Sequence, residues 1–311
     1  MGKVTHKPAR VSDQPFAARI FPAMARSSIT VRFYKTSIPL ALILLLCPMI
    51  SAEAAFEDYG PDPISAALCT SLSADAFHFP ARASNPAAGC RLSGWGFSAS
   101  WCKPFNLSEL EQIRIDIAHS LAHGWVASLR ATTLGGELYS ERTAGLSLSR
   151  VLLPELAIGI GLNFNQLSIE RYGSESAPSL DAGLLYRHRL FDLGVSVTGL
   201  YSGAFPRFGG DVIARRFLLS GALPLDESTR ILIETSLEDG MTPSIRAGFE
   251  VRLFSKLILR GGYETVSERI SLGLGLPLHL WQASAAFDHH PALGWSRSAG
   301  LMWKRNETPS P

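Results

Sequence analysis

The chain has 311 residues, a formal net charge of +2, 18% charged and 46% hydrophobic residues, and 27 glycines. So even a charge balance gives no electrostatic footprint for nucleic acid. With one exception near the N-terminus, the apolar residues are dispersed along the chain, which excludes a bundle of membrane-spanning helices.

Residues 1–55 read as a leader. Met1 to Tyr34 is rich in Arg, Lys, Ala and Ser with Asp13 as its only acid. That composition resembles an organellar transit peptide, while a start at Met24 leaves a basic region of ordinary length. Arg32 and Lys35 precede the apolar run Ile38–Ile50, and Ala52-Glu53-Ala54 follows it. This is the plan of a secretory signal peptide cut near Ala54. The run is short for the roughly 20 residues that cross a bilayer as a helix and carries Pro39 and Pro48, so export is expected rather than anchorage.

The stretch "RASNPAAGC", Arg82–Cys90, closes a non-periodic segment over 56–90. Asn85-Pro86 favours a turn, because proline fixes its own φ and pushes the preceding residue out of the helical region. Cys47 leaves with the leader, and Cys69, Cys90 and Cys102 remain. An odd count in an oxidising compartment predicts one disulfide and one leftover thiol. The spacing favours Cys90 with Cys102, tying the end of this loop to the end of the next strand. No C-x-x-C is present, so no zinc or redox site is expected.

From 91 to 304 the pattern changes to period two. In "ELAIGIGLNFN" Ile158, Ile160, Leu162 and Phe164 take one face, and Ala157, Gly159, Gly161, Asn163 and Asn165 the other. "TAGLSLS" and "RISLGLGL" repeat the division into a greasy face and a small or polar one. The charges share the second face: Arg114 and Asp116 in "IRIDIA", Arg230, Glu234 and Glu238 in "TRILIETSLE", Arg246, Glu250 and Arg252 in "IRAGFEVRLF". About fourteen such segments, each near the 9 to 11 residues that a tilted strand needs to span a bilayer, predict an all-β fold: a transmembrane antiparallel β-barrel with an even strand count. Tight joints such as "TLGGE", "RHRLFD" and "LEDGMTP" separate them, and "YGSESAPS" and "SGAFPRFGGD" are expected to be the longer loops on one side. Closure is required because unpaired backbone N–H and C=O groups are costly in lipid. Trp95, Trp101, Trp125, Tyr139, Tyr186, Tyr201, Tyr263, Trp281, Trp295 and Trp303 fall near segment ends, where aromatic girdles are expected. Arg297 breaks the pattern by sharing a face with Ala299 and Leu301, which requires snorkelling or a different register.

Little in the sequence points to catalysis. His119 and His123 have H-x3-H spacing, but the local period is that of a strand ending at Gly124, so they are not expected to bind a metal. Asp288-His289-His290 reads as a polar strand end before Pro291. The G-x-G runs lie inside alternating strands with no following helix, which removes a dinucleotide site. The chain is therefore expected to be non-enzymatic, with no cofactor and no metal. Arg114, Asp116, Arg130, Glu234, Arg246, Glu250, Arg252, Arg260, Glu264 and Asp288 are the candidate lumen lining, read as a salt-bridged filling ahead of a selectivity wall.

Taken together, "SADAFHFPARASNPAAGC", "ELYSERTAGLSLS", "SLDAGLLYRH", "LILRGGYE" and "ISLGLGLPL" resemble the PorV/PorQ branch of the FadL-like outer-membrane barrels. Asn85-Pro86-Ala87, Leu259 to Tyr263 and Leu293-Gly294 carry most of the likeness. The resemblance implies a bacterial outer-membrane barrel of fourteen strands whose N-terminal segment folds into the lumen as a partial plug, with Asp75, Asn85 and Pro86 as its candidate contacts. It also implies a barrel that passes or binds small hydrophobic molecules, or else a non-enzymatic accessory of a protein secretion or surface-attachment system. The partners would be the lipid bilayer with either hydrophobic small molecules or a secretion-machine protein. The sequence departs from the family in its polar tail at 305–311 and in lacking the long extracellular loops of fatty-acid transporters.

Overall fold

The computed structural model describes Phe56 and residues 62–69, 72–208, 211–254 and 256–305. The leader, its cleavage near Ala54 and the tail after Arg305 lie outside the described residues.

The strands are β1 (Trp95–Lys103), β2 (Gln112–Ser120), β3 (Trp125–Gly135), β4 (Tyr139–Leu153), β5 (Leu156–Ile169), β6 (Gly173–Arg187) and β7 (Asp192–Ser202). A small hairpin, β8 (Ala204–Phe205) with β9 (Asp211–Val212), interrupts them. They resume as β10 (Arg216–Pro224), β11 (Thr229–Glu238), β12 (Ser244–Leu253), β13 (Leu257–Glu264), β14 (Ile270–Leu278), β15 (Trp281–His290) and β16 (Gly294–Arg305). All but the hairpin form one closed antiparallel barrel of fourteen strands, in which β1 pairs with both β2 and β16.

The alternation of the sequence is the alternation of the wall. Along β5, Ile158, Ile160, Leu162 and Phe164 point outward and are exposed, whereas Ala157, Asn163 and Asn165 are buried inside. In water each large apolar side chain left outside would forfeit roughly 1.5–3 kcal/mol of burial. Lipid restores it.

Connections at one end, called the turn end, have two to four residues; those at the other, the loop end, have three to thirteen. Short turns mark the periplasmic end of such barrels and longer loops the extracellular end. Trp95, Trp125, Tyr186, Trp281 and Trp303 face outward near the turn end, and Trp101, Tyr201, Tyr263 and Trp295 near the loop end. Tyr139 departs from the expected girdle: it turns inward and donates to Glu141.

The loops also differ from expectation. "SGAFPRFGGD" does lie in the longest connection, but most of "YGSESAPS" belongs to β6. Pro178 is tolerated within that strand because β7 reaches only Ser179, so the missing N–H falls on an unpaired side where its carbonyl accepts from Gly203. A loop of eight residues between β1 and β2 carries no strong turn signal beyond Pro104-Phe105-Asn106.

Residues 62–69 and 72–92 lie against the inward face. The short helix α1 (Pro63–Ala67) is capped by Asp62, whose carboxylate accepts from the N–H groups of Ile64 and Ser65. A 3-10 turn follows at Phe79–Ala83. Ile64, Leu68, Leu72 and Phe79 pack with the inward-facing Ala118, Val126, Leu232 and Met302 in one apolar cluster. The glycines of the wall are where this segment's backbone presses closest. A Cβ on Gly159 would sit 2.3 Å from the Pro86 carbonyl carbon, and one on Gly262 2.3 Å from that of Leu68.

The Cys90–Cys102 disulfide is not formed; Cys69, Cys90 and Cys102 are buried thiols. Cys90 packs with Ala76, Ala87, Ala157 and Leu185, where β5 begins and β6 ends, at the turn end. Cys102 lies at the loop end of β1, seven residues beyond Trp95 and so about 23 Å along the strand. A bridge needs Cα atoms within about 7 Å.

Two outcomes follow from this packing. Gly159→Leu overpacks the contact with Pro86, at a cost of about 1–3 kcal/mol. The barrel should still migrate as a folded, heat-modifiable species while trypsin gains access to Arg82; continued protection would mean that the contact does not hold the segment. Alkylation in denaturant without reductant should modify Cys69, Cys90 and Cys102 alike, and recovery of a disulfide-linked peptide containing Cys90 and Cys102 would contradict the assignment.

Candidate plug and lumen wall

The luminal segment is bound to the wall by buried polar contacts. Asp75 accepts from the N–H groups of Phe77 and His78, and its second oxygen lies 2.7 Å from the Arg230 guanidinium on β11. Arg230 also meets Glu250 at 3.0 Å, and Glu250 meets Arg260 at 2.6 Å, so the segment joins a four-residue ionic chain. Burial pushes the Asp75 carboxyl up, but Arg230, His78 and the Phe77 N–H outweigh it and hold it well below the usual carboxylate range. Within the segment, Asp62 and His78 lie 2.6 Å apart. Burial raises the Asp62 carboxyl too, and His78 and Arg114 more than reverse the shift.

Asn85 is fully buried. Its amide donates to the carbonyls of Ser73 (2.6 Å) and Leu184 on β6 (3.2 Å), and its oxygen accepts from the Ala87 N–H at 2.9 Å. It therefore makes the local turn and the contact with the wall at once. Pro86, also buried, rests over Gly159 and Gly161.

All ten candidate lumen residues occupy inward positions, in separate groups. Arg230 links Asp75 to Glu250, and Glu250 pairs with Arg260, its partner across β12 and β13. Arg246 bridges Glu234 (3.5 Å) and Glu264 (2.9 Å). Arg114 pairs with Asp116 at 2.9 Å and donates to the Pro80 carbonyl. Arg130 donates to Asn163, which donates to Asp181. Asp288 lies 4.0 Å from Arg269. Arg252 is exposed at the turn end.

Several contacts escape a reading of the sequence. Arg82, 4% exposed, donates to the Val126 carbonyl and to Ser149 Oγ, and burial pulls its pKa down to about 10. Ser73 donates to Glu234 at 2.8 Å, and Lys304 to the Phe77 carbonyl at 2.7 Å. The one available signal was compositional: a guanidinium three residues before Asn85, in a segment otherwise made of small residues.

A polar cavity of about 400 Å³ remains at the turn end, lined among others by Asp75, His78, Arg230, Glu250, Arg260 and Lys304. A smaller one of about 100 Å³, near the loop end, is lined by Arg130, Asn163, Asp181, Gly199 and Arg216. Beside it β7 leaves β10 after Thr198, and the β6–β7 register shifts between Leu180 and Ala182.

Among the described residues no group of three or more His, Cys, Asp or Glu side chains is gathered around the histidine pairs. His119 stacks on Trp95, and His290 Nδ1 accepts from the N–H groups of Ala292 and Leu293 at the turn after β15.

No family model and no curated protein matches the chain. Solved structures do. The chain is similar to the CymD monoaromatic hydrocarbon channel, with a TM-score of 0.60 and 10% identity over 81% of this chain and 100% of that one. It is similar to the Pseudomonas putida toluene transporter TodX, with a TM-score of 0.54 and 12% identity over 84% and 100%. A Pseudomonas aeruginosa FadL homologue gives 0.53 and 10% over 82% and 99%. At these identities the fold is what is shared: a closed fourteen-strand barrel of the FadL-like kind found in bacterial outer membranes.

Proposed function

We propose that the chain is an outer-membrane barrel, exported by its leader, that passes small hydrophobic molecules, with residues 62–92 as the plug that governs the lumen. The observation that carries this reading is an apolar cluster inside the barrel, in which Ile64, Leu68, Leu72 and Phe79 pack against Ala118, Val126, Leu232 and Met302 of a wall that elsewhere is polar and ion-paired. A plain aqueous pore has no use for such a cluster. A barrel that moves apolar solutes does, because displacement of the plug uncovers apolar surface within the lumen while the resting plug keeps ions out. The named functions of the similar structures, a monoaromatic hydrocarbon channel and a toluene transporter, support the same solute class. The secretion-accessory reading and the PorV/PorQ branch rest on the sequence resemblance alone.

Deleting 75–89 should raise single-channel conductance in planar bilayers at least several-fold, and unchanged conductance would remove the plug from its gating role. Asp75→Asn should give partial, intermittent opening. Because the Asp75 and Asp62 carboxyls are depressed in the folded state, their stabilisation is complete above the ordinary carboxylate range, near about pH 4, and is lost as pH falls below it. Conductance should therefore stay low from neutral to mildly acidic pH and rise only below that range. For the solute, cells carrying the barrel should accumulate radiolabelled toluene faster than cells without it; equal rates would argue against hydrocarbon passage.

A further inference from the structure

A charge on the lipid-facing side of a barrel is costly near the bilayer midplane and tolerated at the interface. Arg297 is such a charge. On β16 its neighbours Ser296 and Ser298 are buried inside, so its own side chain points outward, two residues from Trp295 in the loop-end aromatic belt. The register sets it directly opposite Lys103 of β1, whose neighbour Cys102 is likewise buried inside. Directly opposed residues hold their Cβ atoms about 4.5–5.5 Å apart, and two like charges there are destabilising.

The surroundings relieve only one of the two. Lys103 Nζ donates to Ser108 Oγ at 2.9 Å and lies 3.7 Å from Glu111. The Arg297 guanidinium lies 5.7 Å from the centroid of the Trp101 ring, and Phe287 faces it across β15. It is exposed and has no ion-pair partner among the described residues. The result is an exposed guanidinium over an aromatic ring, opposite a second cation and two residues from Trp295 in the loop-end aromatic belt. A guanidinium so placed matches phosphate bidentately.

We propose that this outer face of β16 and β1 binds the phosphate of an anionic lipid of the outer leaflet, with Arg297 as the principal contact, Trp101 orienting it and Lys103 adding charge. Lys103, already held by Ser108 and Glu111, contributes its field and not a direct contact. Only the choice of leaflet rests on the outer-membrane reading; the binding chemistry is independent of solute passage and fails or survives separately.

The test uses the purified barrel in phosphatidylcholine nanodiscs, with diphosphorylated lipid A as the probe and bound lipid counted by native mass spectrometry. Arg150 is the control, because it lies 5.3 Å from the Trp125 ring at the turn end and repeats the arginine-on-tryptophan contact at the other belt. Loss of one charge-assisted contact corresponds to about tenfold weaker binding. Arg297→Gln should show that loss, Arg297→Lys an intermediate one, and Arg150→Gln none; heat-modifiable migration establishes that each variant is folded. Millimolar inorganic phosphate should not displace the lipid. Equal retention by Arg297→Gln, an equal loss in Arg150→Gln, or displacement by free phosphate would each overturn the proposal.

Discussion

Everything in this protein depends on the pairing of β1 with β16, in which Trp95 faces Arg305 and Lys103 faces Arg297. Without it the wall has two edges, and each unpaired backbone group in lipid costs several kcal/mol. With it, an exposed hydrophobic face that would be a liability in water becomes the surface that lipid solvates. Closure also creates an inside. The charges on the second face of each strand are acceptable only because the barrel gives them a common lumen in which to find one another, as Arg246 finds Glu234 and Glu264.

The inside is then occupied by the segment that precedes β1. Its fit is set by backbone and small side chains more than by large ones: Pro86 against Gly159, Leu68 against Gly262, Ala67 against Gly273. Polar contacts fix its position. Asn85 and Arg82 satisfy buried carbonyls, and Asp75 enters the ionic chain through Arg230. These groups are individually expensive to bury and become tolerable only as a completed set. A segment held this way is specific in its seat, and its ionic tie to β11 runs through Asp75.

Much of the barrel is legible in the sequence because its physics is local. Period two, turn residues and the run of about fourteen segments need no knowledge of distant contacts, and the strands fall where the alternation puts them. What escapes is non-local. The small-residue face of "ELAIGIGLNFN" can be read as close-packed wall, but that Gly159 lies under Pro86 depends on how residues 62–92 cross the lumen. The Cys90–Cys102 pairing fails for the same reason: twelve residues of sequence separation say nothing of a chain that leaves Cys90 at the turn end and carries Cys102 to the loop end. "YGSESAPS" misleads because its proline and serines carry a turn signal, whereas the early end of β7 lets Pro178 remain in a strand.

Arg297 joins the local and non-local arguments. By alternation alone it is an error in an apolar face, to be explained by snorkelling or by a slipped register. The pairing removes the second explanation, since a slip of one residue would turn Ser296 and Ser298 outward and Trp295 and Leu301 into the lumen. Snorkelling accounts for where the charge ends but not for its orientation over Trp101 or its placement opposite Lys103. Lys103 has the Glu111 carboxylate, whereas Arg297 has no ion-pair partner among the described residues and is the cation left to meet an anion from the membrane. The same strand pair that closes the barrel thus carries, on its outer side, the proposed contact with lipid phosphate.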